Sequence, residues 1–109
     1  MDSEVLRGVI ERVLRVVEPD RIVLFGSAAR GAIGPGSDID LLVIKRGLVH
    51  RGRIASRMYV SFIGLGVPVD VVLATPEEVE YARTRVGSVL RPAIEAGRDV
   101  YVRPDPGDA

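Results

Sequence analysis

The amino-acid sequence predicts a single α/β domain. Its 109 residues are enough for one hydrophobic core but not for two domains of ordinary size. Stretches whose apolar residues recur at three- and four-residue steps, typical of helices, alternate with short apolar runs that stop at glycine or charged residues, typical of strands. This alternation predicts helices packed on a small sheet.

The first half of the chain is predicted to form one helix and two strands. A helix precedes Pro19, since seven apolar residues there follow helical spacing: Val5, Leu6, Val9, Ile10, Val13, Leu14 and Val17. Arg21–Phe25 is short, rich in β-branched residues and followed by glycine, as expected of a buried strand. A loop with Gly34-Pro35-Gly36 separates it from a second strand, which Ser37 and Asp38 introduce and which reaches Ile44.

The second half alternates in the same way. The predicted elements are a helix within 48–64, a strand over 67–74, a helix from 76 to about 85, a helix ending at 96 and a strand over 99–102. The third helix has a strong start, with Thr75 as N-cap, Pro76 at the first position and Glu78 closing a capping box. We expect the domain to span 1–103, and residues 104–109 to form a disordered tail.

Composition excludes several classes of protein. Without cysteine the chain can form no disulfide, thiolate nucleophile or thiolate metal site, which leaves oxygen-ligated metal as the natural alternative. Fifteen basic and fifteen acidic residues cancel, so no direct binding to nucleic acid through bulk charge is expected. Since no apolar run approaches the roughly 18 residues of a membrane span, and no signal-peptide pattern opens the chain, we expect a cytoplasmic protein.

Carboxylates mark the second and third predicted strands. Side chains two apart in a strand point to the same face, so Asp38 and Asp40 project together, with Cα atoms roughly 7 Å apart. Gly26-Ser27 ends the preceding strand, where free backbone N–H groups can hold phosphate. Asp70 interrupts an apolar strand, where an ionised aspartate is costly unless an arginine or a metal ion pairs with it. Together these residues predict a site for metal-assisted phosphoryl or nucleotidyl transfer.

The basic residues leave alternatives open. Arg30, three positions after Ser27, either contacts a triphosphate or pairs with a carboxylate of the same turn. The helix within 48–64 has a basic face that could touch phosphate or an acidic partner, although we favour a solvated face: His50, Arg51, Arg53 and Arg57. The single histidine is expected at the surface rather than as a metal ligand.

The spacing of these residues resembles that of a known family. Gly26-Ser27, ten intervening residues, Asp38-Ile39-Asp40 and, later, Asp70 resemble the signature of the nucleotidyltransferase superfamily related to DNA polymerase β. The longer runs 26–31 and 37–43 resemble the minimal nucleotidyltransferases, the antitoxins of HEPN/MNT toxin–antitoxin pairs. This resemblance covers nearly the whole chain. It implies the nucleotidyltransferase fold, a small mixed sheet flanked by helices.

The resemblance also implies roles for the site residues. Asp38 and Asp40 would hold two Mg²⁺ ions, and Asp70 would complete the site for the ion that activates the acceptor hydroxyl. Gly26 and Ser27 would hold the β- and γ-phosphates of ATP. Such an oxygen-only ligand set suits Mg²⁺, which prefers carboxylate and phosphate oxygens.

The implied function is AMPylation of a partner. The chain would transfer AMP from ATP to a hydroxyl, expected to be that of a tyrosine, on a HEPN ribonuclease toxin and so act as its antitoxin. One alternative is a non-catalytic module that neutralises the toxin by masking it. Another is nucleotidylation of a small molecule such as an antibiotic, which is disfavoured because the chain has no room for an acceptor domain.

Overall fold

The structure, a computed structural model, describes residues 3–26, 38–85, 87–88 and 90–104. In chain order its elements are α1 (Ser3–Val16), β1 (Arg21–Phe25), β2 (Ile39–Ile44), α2 (Arg51–Ser61), β3 (Val69–Ala74), α3 (Pro76–Arg83), α4 (Arg91–Ala96) and β4 (Arg98–Val102). Each predicted helix and strand is therefore confirmed. No helix within the described ranges is long and apolar enough to cross a membrane.

The four strands form one mixed sheet in the order β3-β2-β1-β4. β1 runs antiparallel to both β2 and β4, whereas β2 and β3 run parallel. The end of β1 therefore meets the beginnings of β2 and β3 at one end of the sheet. In register, Phe25 lies opposite Asp40, and Asp40 lies opposite Asp70.

Helices cover both faces of the sheet. The side chains of the central strands β1 and β2 point alternately to the two faces and are mainly apolar on both, so each face has to be covered. One core packs α1 and α2 on the sheet and has as its fully buried members Val9, Val13, Ile22, Leu24, Ile39, Leu41, Val43 and Met58. The other packs α3 and α4 on the opposite face and is formed by Val23, Leu42, Ile44, Ala74, Val79 and Ala93. Asp40 alternates with Leu41 and so belongs to this second face.

The capping box predicted for α3 is confirmed. The Thr75 hydroxyl accepts from the Glu78 backbone N–H at 3.2 Å, and the Glu78 carboxylate accepts from the Thr75 N–H at 2.9 Å. Two orphan donors of the first turn are satisfied in this way.

Several element ends differ from the prediction; β4, for example, begins at Arg98 rather than at residue 99. α2 begins only at Arg51 because His50 has a φ of 56°, a left-handed conformation that a helix interior excludes. β3 begins at Val69, directly after Pro68, which has no N–H to donate to a sheet. α3 ends at Arg83 rather than near residue 85.

Candidate active site

Three of the predicted site residues meet at the end of the sheet where β1 ends and β2 and β3 begin. Asp40 and Asp70 are direct neighbours on parallel strands, and adjacent strands lie about 4.8 Å apart, so the two side chains leave the same face side by side. Asp38 directly precedes β2, two residues before Asp40. The register therefore places Asp40 and Asp70 side by side, and that all three carboxylates form one site stays a prediction.

The surroundings of Asp40 disfavour the negative charge of its carboxylate. Asp40 is half-buried, and this burial raises the pKa of its carboxyl, which the negative charges of Asp70 and Asp38 raise further. A cation bound between the carboxylates would reverse the effect of the neighbouring charges. The electrostatics of the site therefore favour a bound metal ion or another positive group.

Gly26 makes room for the Asp40 carboxylate. Its φ is 74°, a left-handed conformation that favours glycine. A Cβ atom at this position would also collide with Oδ2 of Asp40 and lie 3.3 Å from Cγ. Glycine is required here by the backbone conformation and by the close approach together, so Gly26 shapes the carboxylate site directly.

Asp70 differs from its prediction in one respect. The sequence argument assumed a carboxylate buried among Val and Leu, but Asp70 is exposed, because β3 is an edge strand. The burial argument was therefore wrong, and the register opposite Asp40 is what connects Asp70 to the site. Among the described residues, the ion pairs do not include Asp38, Asp40 or Asp70, so no arginine there neutralises this cluster.

The fit of a metal ion to these residues is partial. The donors are all carboxylate oxygens, the ligands that Mg²⁺ prefers. Within the described ranges, however, no group of three Asp, Glu, His or Cys side chains is arranged to hold a metal ion. The carboxylates are thus neighbours on the sheet without forming a closed ligand set, and the assignment of Asp38, Asp40 and Asp70 as metal ligands stays a prediction.

The remaining predicted residues are the phosphate-binding candidates and the basic residues of α2. Ser27 and Arg30 lie outside the described residues, so their predicted phosphate contacts stay predictions. His50 is exposed, as expected. Arg51, which the sequence placed on a solvated face, forms an ion pair of 2.7 Å with Glu78 and so links the beginnings of α2 and α3. This pairing joins residues 27 positions apart, and nothing in the local sequence indicates it.

One contact beside the site was also missed. The Tyr59 hydroxyl of α2 accepts from the backbone N–H of Val71 at 3.0 Å. Val71 directly follows Asp70, and its N–H points to the free edge of the sheet, since the parallel pairing with β2 uses alternate residues of β3. Tyr59 thus fixes the edge strand next to Asp70.

Comparison with known proteins agrees with this geometry. The family model described as a nucleotidyltransferase domain matches residues 5–94. A candidate nucleotidyltransferase from Sulfolobus solfataricus, known from its crystal structure, is 22% identical with a TM-score of 0.61, over 92% of this chain and 79% of that one. A chain from a crystal structure of a toxin–antitoxin with AMP-PNP is 21% identical with a TM-score of 0.61, over 89% of this chain and 73% of that one. The predicted nucleotidyltransferase fold is thereby confirmed. None of the curated proteins matches the sequence.

Proposed function

Because the chain belongs to the nucleotidyltransferase domain family, we propose that it transfers AMP from ATP to a hydroxyl group of a partner protein. The observation that carries the proposal is the register that places Asp40 opposite Asp70, at the end of the sheet where Gly26 makes room for a carboxylate. Burial and the neighbouring negative charges disfavour the ionised form of Asp40. Perturbed carboxylates of this kind are typical of functional sites, here a metal-assisted reaction, rather than of groups that stabilise the fold.

Each residue has a role in the proposed reaction. Asp38 and Asp40 would hold two Mg²⁺ ions, with Asp70 completing the site on the acceptor side, while Gly26, Ser27 and Arg30 would hold the β- and γ-phosphates. Mg²⁺ bound by these carboxylates would supply activation of the acceptor hydroxyl and neutralisation of charge on the leaving pyrophosphate. Asp70, being exposed, can take the hydroxyl proton as the new bond to the α-phosphorus forms and the bond to the β-phosphate oxygen breaks.

The proposed acceptor is a tyrosine hydroxyl of a HEPN ribonuclease toxin, which AMP transfer silences. Two points support an acceptor on another protein. A chain from the toxin–antitoxin structure with AMP-PNP shares the fold, and the described elements of this chain form one sheet and its covering helices, with no separate acceptor-holding unit among them. The protein would therefore act as an antitoxin in a complex, in the cytoplasm.

A second function is neutralisation by masking alone. It is favoured by the finding that no group of three carboxylates in the described ranges is arranged as a metal site. Catalysis and masking differ in their dependence on Asp40. Masking needs the surface of the chain, whereas transfer also needs the charge of that carboxylate.

The ribonuclease activity of the toxin distinguishes the two functions. The toxin is the product of the neighbouring open reading frame, and it is incubated with an equimolar amount of the chain, ATP and Mg²⁺. We expect the wild-type chain to silence it and Asp40→Asn to fail, while Glu80→Gln, a matched change on the exposed face of α3, behaves as wild type. If Asp40→Asn silences the toxin as well as the wild type does, the transfer function is wrong and masking is favoured.

A further inference from the structure

The outer face of α2 exposes more apolar surface than a solvated helix requires. Its inner side packs into the core through Ile54, Met58 and Phe62. On the outer side Val60 is 67% exposed, and Ile63, just beyond the helix, is 74% exposed. These two residues are three positions apart and therefore adjoin on one side of the helix end. Adjoining exposed apolar side chains are typical of a surface that contacts another protein.

The same face is positively charged. α2 contains three arginines and no acidic residue, in a chain whose net charge is zero. Arg51 is paired with Glu78. Arg53 and Arg57 are exposed and take part in none of the ion pairs found among the described residues. Arg53, Arg57 and Val60 are spaced by four and three residues and therefore form one stripe along the helix. Two guanidinium groups next to an apolar side chain can bind carboxylates of another protein.

A groove adjoins this stripe. It has a volume of about 350 Å³ and is lined by Val16 from the end of α1 and by Ser56, Arg57, Val60 and Ser61 from α2. The two valines give it apolar walls, and Arg57 lies at its side. A groove of this size and chemistry accepts an apolar side chain whose neighbours are acidic.

The stripe is linked to the candidate active site through Tyr59 and the edge strand β3. Tyr59, adjacent to Val60 in α2, binds the backbone N–H of Val71, the residue after Asp70. β3 is an edge strand, whereas the side chains of Asp40 and Asp70 leave the face of the sheet opposite to α2. To place a hydroxyl group at the carboxylates, a protein seated on the outer face of α2 has to extend a segment around this edge to the opposite face of the sheet.

We infer that the outer face of α2, from Arg53 to Ile63, is the docking surface for the protein that carries the acceptor hydroxyl, and that the docked segment is an acidic amphipathic helix. A helix presents apolar and acidic side chains at the three- and four-residue spacing that matches Arg53, Arg57 and Val60. Its apolar residue fills the groove and its carboxylates meet the two arginines. The inference rests on the proposed function, because it locates the acceptor protein of that function.

The test is the affinity of the chain for the product of the neighbouring open reading frame, measured by titration calorimetry at two salt concentrations. The α2 variants are Arg57→Glu and Val60→Ser. The matched controls are Arg98→Glu and Val102→Ser, which change exposed residues of β4 at the opposite edge of the sheet. We expect each α2 variant to weaken binding about tenfold and the controls to stay within about twofold. The affinity of the wild type should fall as the salt concentration rises, and the affinity of Arg57→Glu should fall less steeply.

The outcomes separate this inference from the proposed function. If the α2 variants bind as tightly as the wild type, or if the wild type does not bind, the docking surface is wrong, even where AMP transfer is observed. If they lose binding but the wild type transfers no AMP, the docking surface stands and the transfer function is wrong. Hydrogen exchange of the wild-type complex needs no variant, and it should slow over residues 53–63 and not over 98–102. Slowing over 98–102 alone would overturn the inference.

Discussion

Replacing Gly26 by alanine tests whether this glycine is needed for the Asp40 carboxylate. The new Cβ would collide with Oδ2 of Asp40, so the carboxylate must move by roughly 1 Å to regain ordinary contact. A displacement of that size at a catalytic group costs about 10²-fold in rate. The left-handed φ of 74° adds about 1–2 kcal/mol of destabilisation.

Gly47→Ala is the matched control. Gly47 has a φ of 68° but nothing within 4 Å of an added Cβ, so this variant carries the same backbone strain without the collision. We expect both variants to lose similar thermal stability, and only Gly26→Ala to lose AMP transfer, measured as initial rate at saturating ATP well below the melting temperature of both. Equal rates for the two variants, whether both normal or both slow, would refute the steric role of Gly26.

Four further predictions concern stability, the first three measured as the melting temperature Tm and the last by hydrogen exchange. Thr75→Ala removes the N-cap of α3 and should cost about 1 kcal/mol, or about 5 °C in Tm; an unchanged Tm would show that the capping box contributes nothing. The hydrogen bond from the Arg51 side chain lowers the pKa of Glu78, so this pair stabilises the fold above the ordinary glutamate pKa and the contribution is lost as pH falls through the lowered one. Arg51→Ala should therefore make Tm fall less steeply on the acid side of the Tm–pH curve. If the variant's whole curve is only displaced in parallel to that of the wild type, the pair does not contribute to the pH dependence of stability. Because the pKa of Asp40 is raised in the folded state, the stability of the fold falls as the pH rises through that raised pKa. Asp40→Asn should therefore melt at a higher temperature than the wild type at neutral pH without metal. A lower Tm would mean that the charge of Asp40 stabilises the fold. Tyr59→Phe keeps the ring and removes the acceptor for the N–H of β3, at a cost of about 1 kcal/mol, and faster hydrogen exchange confined to β3 would identify the lost bond.

The elements that the sequence predicted best are those defined by local chemistry. The predicted strand Arg21–Phe25 has the same first and last residues as β1. Its apolar run is bounded by a charged residue and a glycine, and these fix where the strand begins and ends. The start of α3 is equally local, since Thr75, Pro76 and Glu78 satisfy the first turn among themselves. Both cases need no knowledge of the rest of the fold.

What the sequence could not predict depends on the tertiary arrangement. An apolar strand pattern does not distinguish an edge strand from a central one, so the exposure of Asp70 had no sequence signal. The bond from Val71 to Tyr59 and the pairing of Arg51 with Glu78 join elements brought together only by the fold. The left-handed conformation of His50, which delays the start of α2, is likewise uncommon for a residue other than glycine.

Label transfer from ATP shows whether the chain moves AMP to its partner. The chain, Mg²⁺ and the product of the neighbouring open reading frame are incubated with ATP labelled at the α-phosphate, or in parallel at the γ-phosphate, with Asp40→Asn as control. We expect covalent label on the partner from the α-phosphate only, and none with Asp40→Asn. Label from the γ-phosphate would indicate a kinase instead. No label from either, while the partner is still bound and silenced, would contradict nucleotidyl transfer.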